Sequence, residues 1–147
     1  MIVLVRHADA VGPDVDPMRP LSEAGRTAAT RLAAEAAARG VRPDHVWHSG
    51  KLRARQTAEL FWRACNPLAP FSAARGLQPD DPPAWIRDEL AGESRSILVV
   101  GHMPHLDRLL RLMLQGGPLG SAADFPLHGC VALERDAERW REIWRAP

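Results

Sequence analysis

The feature that most constrains the fold is a short apolar run, residues 1–5, that ends abruptly at Arg6 and His7. Five apolar residues in succession predict a short strand that is buried on both faces. In an open α/β sheet, ligands bind beyond the carboxyl ends of the strands, which is where Arg6 and His7 would lie. Arginine offers a planar fork of donors to phosphate or carboxylate, and neutral histidine offers a nucleophile or base. The alternative is a structural histidine and a solvated arginine at the point where a strand leaves the core.

Strand patterns alternate with helix patterns along the rest of the chain. The predicted strands are residues 2–6, 44–48, 96–100, 128–134 and 139–144, with a short edge strand near Phe71. The predicted helices start at Ser22, Lys51, Ala84 and Pro104, and they end near Arg39, Cys65, Leu90 and Gly116-Gly117. This order predicts an α/β fold. We expect a three-layer sandwich, with a mostly parallel central sheet, helices on both faces and an antiparallel edge formed by the last two strands.

Size and composition limit the class of protein. A chain of 147 residues is most simply one domain, residues 1–147, and a net charge of +1 gives no general attraction to nucleic acid. The two cysteines, Cys65 and Cys130, are too few for a disulfide framework and predict free thiols in a reducing compartment. The sequence has no signal-peptide pattern and no apolar run of membrane-spanning length. We therefore expect a soluble cytoplasmic protein with no membrane or nucleic-acid partner.

Three predicted strands end at side chains that suit an anion. The first strand ends at Arg6-His7, the second at Ser49 with Arg53 one turn into the next helix, and the third at His102. Because the carboxyl ends of parallel strands lie along one edge of a sheet, these side chains can meet without being close in sequence. Helix N-termini at that edge would add backbone donors and a positive dipole end. The sequence thus predicts a phosphate site.

Four segments resemble, in order, the signature segments of the histidine phosphatase, or phosphoglycerate-mutase-like, superfamily. They are Arg6-His7-Ala8, Leu21-Ser22-Glu23-Ala24-Gly25, Ser49-Gly50-Lys51-Leu52-Arg53-Ala54-Arg55-Gln56-Thr57-Ala58 and Gly101-His102-Met103-Pro104. Ala8 and Gly50 stand where glycine and proline are commoner in that superfamily. The short length and the Arg-Pro-Leu-Ser run of residues 19–22 are most similar to the SixA-type phosphohistidine phosphatases.

The resemblance implies a role for each matching residue. His7 would be the nucleophile and would carry the phosphoryl group as a phosphohistidine intermediate. Arg6 and Arg53 would bind the phosphoryl oxygens, and His102 would donate to them as charge builds. The resemblance implies no metal and no cofactor. The substrate would be phosphohistidine in a protein, so the partner would be a phosphorylated protein.

Three other functions remain possible from the sequence. The same chemistry could act on a small phosphate ester such as a sugar phosphate or nucleotide. A non-catalytic phosphate-binding module would have little reason to keep both His7 and His102. A metal hydrolase could use His102 and His105, spaced i, i+3, but no matching carboxylate or cysteine pattern accompanies them.

The remaining basic side chains match no site position of the superfamily. His45, His105 and His128 match no motif, and we expect His48 to be structural. Lys51 and Arg55 are expected on a solvated helix face.

A proton donor for the leaving group is hard to find in the sequence. Superfamily members that cleave stable esters often carry a carboxylic acid, usually glutamate, between the second helix and the third strand. The corresponding stretch here, residues 76–83, offers Gln78, Asp80 and Asp81. Gln78 cannot donate a proton in this way, and the flanking prolines favour an ordinary exposed turn for the two aspartates. A phosphohistidine substrate needs less help, because its leaving group is an imidazole.

Overall fold

A computed structural model describes residues 1–114 and 124–147. The elements, in chain order, are β1 (Ile2–Arg6), α1 (Glu23–Ala38), β2 (His45–His48), α2 (Leu52–Cys65), β3 (Phe71–Ala73), α3 (Pro83–Ala91), β4 (Ile97–Gly101), α4 (His105–Met113), β5 (Cys130–Asp136) and β6 (Arg139–Ala146). The helix end predicted at Gly116-Gly117 lies outside the described residues. None of the described helices is both long and apolar enough to cross a membrane.

The strands form one six-stranded sheet in the order β3-β2-β4-β1-β5-β6. Strands β3, β2, β4 and β1 run parallel, and β5 pairs antiparallel with both β1 and β6. The predicted α/β architecture with a mostly parallel sheet and an antiparallel pair of strands at one side is therefore confirmed.

Each face of the sheet is covered by two helices. Val3 and Val5 of β1 face the layer of α1 and α2, where Phe61 is fully buried. Ile2 and Leu4 face the opposite layer, which contains α3 and α4. Successive side chains of a strand point to opposite faces, so an entirely apolar strand is what a sheet buried on both faces requires.

Two local features fix the start of α1 close to the end of β1. The Ser22 hydroxyl accepts a hydrogen bond from the Gly25 backbone N–H at 3.0 Å and so caps the helix. A Cβ at Gly25 would overlap the backbone carbonyl oxygen of Asp9. Gly25, which takes the place of a capping-box glutamate, thereby lets α1 approach the segment that follows β1. The Ser22 backbone N–H also donates to the Asp9 carbonyl at 3.0 Å.

Several boundaries differ from their predictions by one or two residues, and one of these differences bears on the site. The fifth strand begins at Cys130 rather than His128, because residues 127–128 form a turn and His128 has a left-handed φ of 49°. Beyond the turn, the Gly129 carbonyl accepts a hydrogen bond from the Arg6 backbone N–H at 3.0 Å. This small shift matters, because it places the His128 side chain beside the end of β1.

Candidate active site

The ends of β1, β4 and β2 meet at one edge of the sheet. These three strands are neighbours, so His7, His102 and Ser49 follow adjacent strand ends. The ring centroids of His7 and His102 are 5.0 Å apart. They face a cavity of about 390 Å³, whose lining residues are Arg6, His7, Asp9, Ala10, Arg19, Arg53, Pro79, His102, Met103 and His128. All four residues proposed from the sequence as the site, Arg6, His7, Arg53 and His102, line this one cavity.

His7 is held in a single tautomer. Its Nδ1 lies 2.7 Å from the backbone carbonyl oxygen of Ala8, which can only accept, so Nδ1 carries the proton and donates it. Burial lowers the pKa of His7 to about 4, the Ala8 carbonyl opposes that shift, and the positive charges of Arg53 and Arg6 add to it. The ring is therefore neutral at pH 7, and Nε2 keeps its lone pair.

His102 is buried and held by Ser49. Its Nε2 lies 2.6 Å from the Ser49 hydroxyl, whereas its Nδ1 is buried with no hydrogen-bond partner. Burial lowers the pKa of His102 to about 3, and His7, Arg53 and Lys51 lower it further, so His102 is also neutral at pH 7. The Ser49 oxygen accepts a backbone hydrogen bond from Lys51 at 3.3 Å. If the Ser49 hydroxyl donates its hydrogen bond to Nε2, the ring proton of His102 lies on Nδ1. In that tautomer Nδ1–H can donate to a ligand.

The cavity has more donors than the protein uses. The Nε atoms of Arg6 and Arg53 are buried and, like Nδ1 of His102, make no hydrogen bond to the residues that the structure describes. Burial lowers the pKa of both arginines, but a guanidinium stays protonated at any ordinary pH. Buried polar atoms without a partner are rare in folded proteins. Three of them around one cavity fit an anion with several acceptor oxygens, such as a phosphoryl group.

Side chains of α2 fix Arg53 and the loop that follows β1. The Thr57 hydroxyl donates to the Arg53 backbone carbonyl at 2.8 Å and accepts from the Ala8 N–H at 3.1 Å. The Gln56 amide oxygen accepts from the Leu21 N–H at 2.8 Å. The motif that contains Arg53 thus also anchors both ends of the loop that follows His7. Ala8 is buried in this contact, and Gly50 adopts a left-handed φ of 91°, so both departures from the commoner motif are accommodated.

Two basic lining residues were not identified as site residues from the sequence. His128 donates from Nδ1 to the His7 carbonyl oxygen at 3.0 Å, and its ring centroid lies 6.3 Å from that of His7. Arg19 has a left-handed φ of 50° and donates from Nε to the Val11 carbonyl at 3.0 Å. The Arg-Pro-Leu-Ser run pointed to Arg19, but no local pattern pointed to His128.

Other candidate side chains lie outside the cavity lining. Asp81 accepts a hydrogen bond from the Gln78 backbone N–H at 2.9 Å, and neither it nor Asp80 lines the cavity. Gln78 does not line the cavity, and it donates to the Ser49 carbonyl at 2.7 Å, which is a structural role. Lys51 is exposed, and Arg55 is exposed and lies 3.5 Å from Glu59, as expected for a solvated helix face.

The remaining histidines also lie outside the cavity lining. His48 is buried and accepts from the Gly50 N–H at 3.0 Å, which is the expected structural role. His45 lies 2.8 Å from the Ser72 hydroxyl, at the far end of β2. His105 is fully buried on α4. In the part of the chain that the structure describes, no three His, Cys, Asp or Glu side chains are grouped as metal ligands.

The family model of the histidine phosphatase superfamily, branch 1, matches residues 2–78, more than half of the chain. The chain belongs to that superfamily. The match includes Arg6, His7 and Arg53 and ends before His102, which the fold brings to them. No curated protein sequence matches the chain significantly.

Solved structures agree with this assignment over nearly the full length. The protein histidine phosphatase SixA, complexed with tungstate, is 22% identical with a TM-score of 0.84, and the alignment covers 98% of this chain and 94% of that one. A putative phosphohistidine phosphatase SixA from Agrobacterium tumefaciens is 28% identical with a TM-score of 0.81, covering 99% and 96%. A mycobacterial glucosyl-3-phosphoglycerate phosphatase is 17% identical with a TM-score of 0.71, covering 99% and 98%. Similar folds thus carry both phosphohistidine and small-molecule phosphatases, so the fold does not decide the substrate.

Proposed function

We propose that this protein is a metal-independent phosphatase that forms a phosphohistidine intermediate on His7, and that it dephosphorylates phosphohistidine in a protein. The observation that carries the proposal is the state of His7. The Nδ1–H of His7 donates a hydrogen bond to the Ala8 carbonyl, and burial is the main cause that lowers the pKa of His7 to about 4. Nε2 is therefore an unprotonated nucleophile at neutral pH that needs no activating base.

The reaction has two displacements at phosphorus. In the first, His7 Nε2 forms a bond to phosphorus while the bond from phosphorus to the leaving atom breaks. In the second, a water oxygen forms a bond to phosphorus, and the bond to His7 Nε2 breaks and returns its electron pair to the ring. The products are the dephosphorylated substrate and inorganic phosphate, and His7 is restored.

Three side chains stabilise the charge on the equatorial oxygens. Arg6 and Arg53 provide guanidinium donors whose Nε atoms have no partner among the described residues, and His102 provides Nδ1–H. Fixed donors of this kind cost no reorganisation during the reaction, which makes them effective in the transition state. They also bind the ground-state phosphoryl group, so they contribute to affinity as well as to rate.

The carboxylate content of the cavity favours a phosphohistidine substrate. Of the described residues that line the cavity, Asp9 is the only acidic one, and it accepts a 2.7 Å hydrogen bond from the Ser22 hydroxyl. An alkoxide leaving group needs a proton, which a general acid supplies with a typical gain of about 10²–10⁴-fold. An imidazole departs more easily, because its conjugate acid has a pKa of about 6.5.

A small phosphate ester is the second candidate substrate. A cavity of about 390 Å³ can hold a sugar phosphate or a nucleotide fragment. The similarity to a sugar-phosphate phosphatase fold is compatible with that choice. In this alternative the same four residues act, and only the leaving group differs.

The test compares leaving groups under metal-free conditions. The purified protein, in chelator, is offered a phosphohistidine peptide and a phosphoserine peptide of the same sequence, and kcat/KM is measured for each. We expect the phosphohistidine peptide to be hydrolysed at least about 10²-fold faster, because an imidazole leaves without the proton transfer that a serine alkoxide requires. Equal values would favour the small-ester alternative. Loss of activity in chelator that a metal restores would overturn the proposal.

A further inference from the structure

His128 lies beside the nucleophile in the lining of the same cavity. It lies in the turn before β5, and its ring centroid is 6.3 Å from that of His7. The chain on both sides of His7 fixes this turn, since Nδ1 of His128 lies 3.0 Å from the His7 carbonyl oxygen and the Arg6 N–H donates to Gly129. His128 is thus attached to the backbone of the residue that it lies beside.

The turn that carries His128 has little freedom to move. The Gly129 N–H donates to the Pro126 carbonyl at 3.2 Å. A Cβ at Gly129 would overlap the Ala146 carbonyl oxygen and contact the Pro126 ring, so β6 and the turn pack closely against this glycine. Such a support keeps a side chain in one position, which is what a group that transfers a proton at a defined atom requires.

The contact with the His7 carbonyl decides which nitrogen of His128 is available. A carbonyl oxygen can only accept, so Nδ1 of His128 carries a proton and donates it. Nε2 makes no hydrogen bond to any of the described residues, and the ring lines the cavity. Nε2 can therefore hold or release a proton without breaking the anchoring hydrogen bond.

The other titratable groups of the cavity are poorly suited to supply a proton. Burial lowers the pKa of His7 to about 4 and that of His102 to about 3, so both rings are neutral at pH 7. Asp9 is engaged by the Ser22 hydroxyl, and the side chains of Asp80 and Asp81 do not line the cavity. Histidine is the side chain that most readily gains and loses a proton near neutral pH.

We propose that His128 is the general acid and base of this site, a role that rests on the proposed function of His7. In the first displacement, Nε2–H of His128 gives its proton to the leaving nitrogen or oxygen as the bond from that atom to phosphorus breaks. In the second, the now unprotonated Nε2 takes a proton from the attacking water as its oxygen binds phosphorus. Each turnover returns His128 to its starting state and consumes one water molecule.

The test is the dependence of rate on leaving group in His128→Asn. The asparagine amide can still donate to the His7 carbonyl, and asparagine tolerates a left-handed φ, but it cannot exchange a proton. p-Nitrophenyl phosphate needs no protonation to leave, whereas an alkyl phosphate does. We expect kcat/KM, which reports the first displacement alone, to stay within about threefold for the aryl ester and to fall about 10²-fold or more for the alkyl ester. His45→Asn, a histidine of β2 outside the cavity lining, is the matched control and should leave both rates unchanged.

The results separate a chemical role from a structural one. Equal losses of kcat/KM on both esters, or no loss on either, would overturn the role of His128. Weaker inhibition of His128→Asn by inorganic phosphate would mean that phosphate binding has also changed, and a second variant, His128→Gly, then separates the two roles. Added imidazole should restore the alkyl-ester rate of His128→Gly, and failure to restore it overturns the proposal. The phosphoryl label on His7 is measured in the same samples. A labelled His7 with an unchanged leaving-group dependence would contradict only the role of His128, whereas an unlabelled His7 would contradict the proposed function itself.

Discussion

The Ser49 hydroxyl lies 2.6 Å from Nε2 of His102, and the contact joins the ends of two neighbouring strands. Both side chains are buried. The direction of this hydrogen bond sets which nitrogen of His102 carries the proton, and with it whether Nδ1 can donate to a phosphoryl oxygen. Ser49, which follows β2, thus acts on the ligand through His102, which follows β4.

Ser49→Ala should reduce catalysis more than stability. Without the hydroxyl, His102 can place its proton on Nε2, and the donor toward the phosphoryl group is lost in that tautomer. We expect kcat/KM for p-nitrophenyl phosphate to fall about 5- to 100-fold, the equivalent of about 1–3 kcal/mol for a buried group left without its partner. The exposed Ser72, which lies beside His45, provides the control Ser72→Ala. A Ser49→Ala enzyme as active as Ser72→Ala would show that the serine does not orient His102.

His7→Ala should abolish turnover and leave the fold intact. His7 lies just beyond the buried part of β1, so its removal costs little packing. Rapid-quench mass spectrometry of the wild type should find an acid-labile, base-stable phosphoryl group on His7, and circular dichroism of the variant should match the wild type. A label on another residue, or residual turnover in His7→Ala, would exclude His7 as the nucleophile.

Much of the site follows from the sequence because it depends on strand ends. An apolar strand of a parallel sheet must be buried on both faces, so the first polar side chains after it emerge at a shared edge. That rule places His7, Ser49 and His102 together, and it requires no knowledge of the strand order beyond their being neighbours. Arg53 follows because it lies one turn into the helix that starts at the same edge.

His128 could not be found in this way. It lies before an antiparallel strand, and the direction of that strand brings its beginning, rather than its end, to the same edge as His7. Which residue then faces the cavity depends on the register of β5 against β1 and on a left-handed turn residue, and neither leaves a local pattern. Asp80 and Asp81 show the opposite case. They lie in the segment where superfamily members often carry a proton donor, but neither lines the cavity, and Asp81 instead accepts a hydrogen bond within its own turn.

Arg53→Lys should not behave as a conservative change. Lysine keeps the charge but loses the planar fork of donors, and Nε of Arg53 is buried beside the cavity. We expect kcat/KM to fall roughly thirty- to a thousand-fold, the equivalent of about 2–4 kcal/mol of transition-state stabilisation. Arg55→Lys, on the exposed face of the same helix, is the matched control. Steady-state kinetics that place both variants within about twofold of the wild type would remove Arg53 from the site.

The last prediction concerns His105, a fully buried side chain of α4 whose two ring nitrogens make no hydrogen bond. Burial lowers the pKa of His105, while the carboxylate of Asp81 and the nearby backbone carbonyl of Gly76 oppose the shift. In the unfolded chain the imidazole takes up a proton as the pH falls through about 6.5, whereas the folded protein resists protonation. Because the unfolded state then binds more protons, the free energy of unfolding must decrease as the pH falls below that value.

His105→Leu removes this source of acid sensitivity. Urea unfolding at pH 8 and pH 5 should show that the leucine variant is at least as stable as the wild type at pH 8, since it buries no unsatisfied polar atom. The difference in the free energy of unfolding between the leucine variant and the wild type should widen at pH 5. Each pH unit over which His105 is protonated in the unfolded chain but not in the folded protein adds up to about 1.4 kcal/mol. His7 and His102 also have lowered pKa values, and both residues are present in both proteins. They therefore lower the free energy of unfolding of the two proteins equally as the pH falls. Parallel pH dependences in the two proteins would mean that His105 takes up its proton equally in the folded and unfolded states.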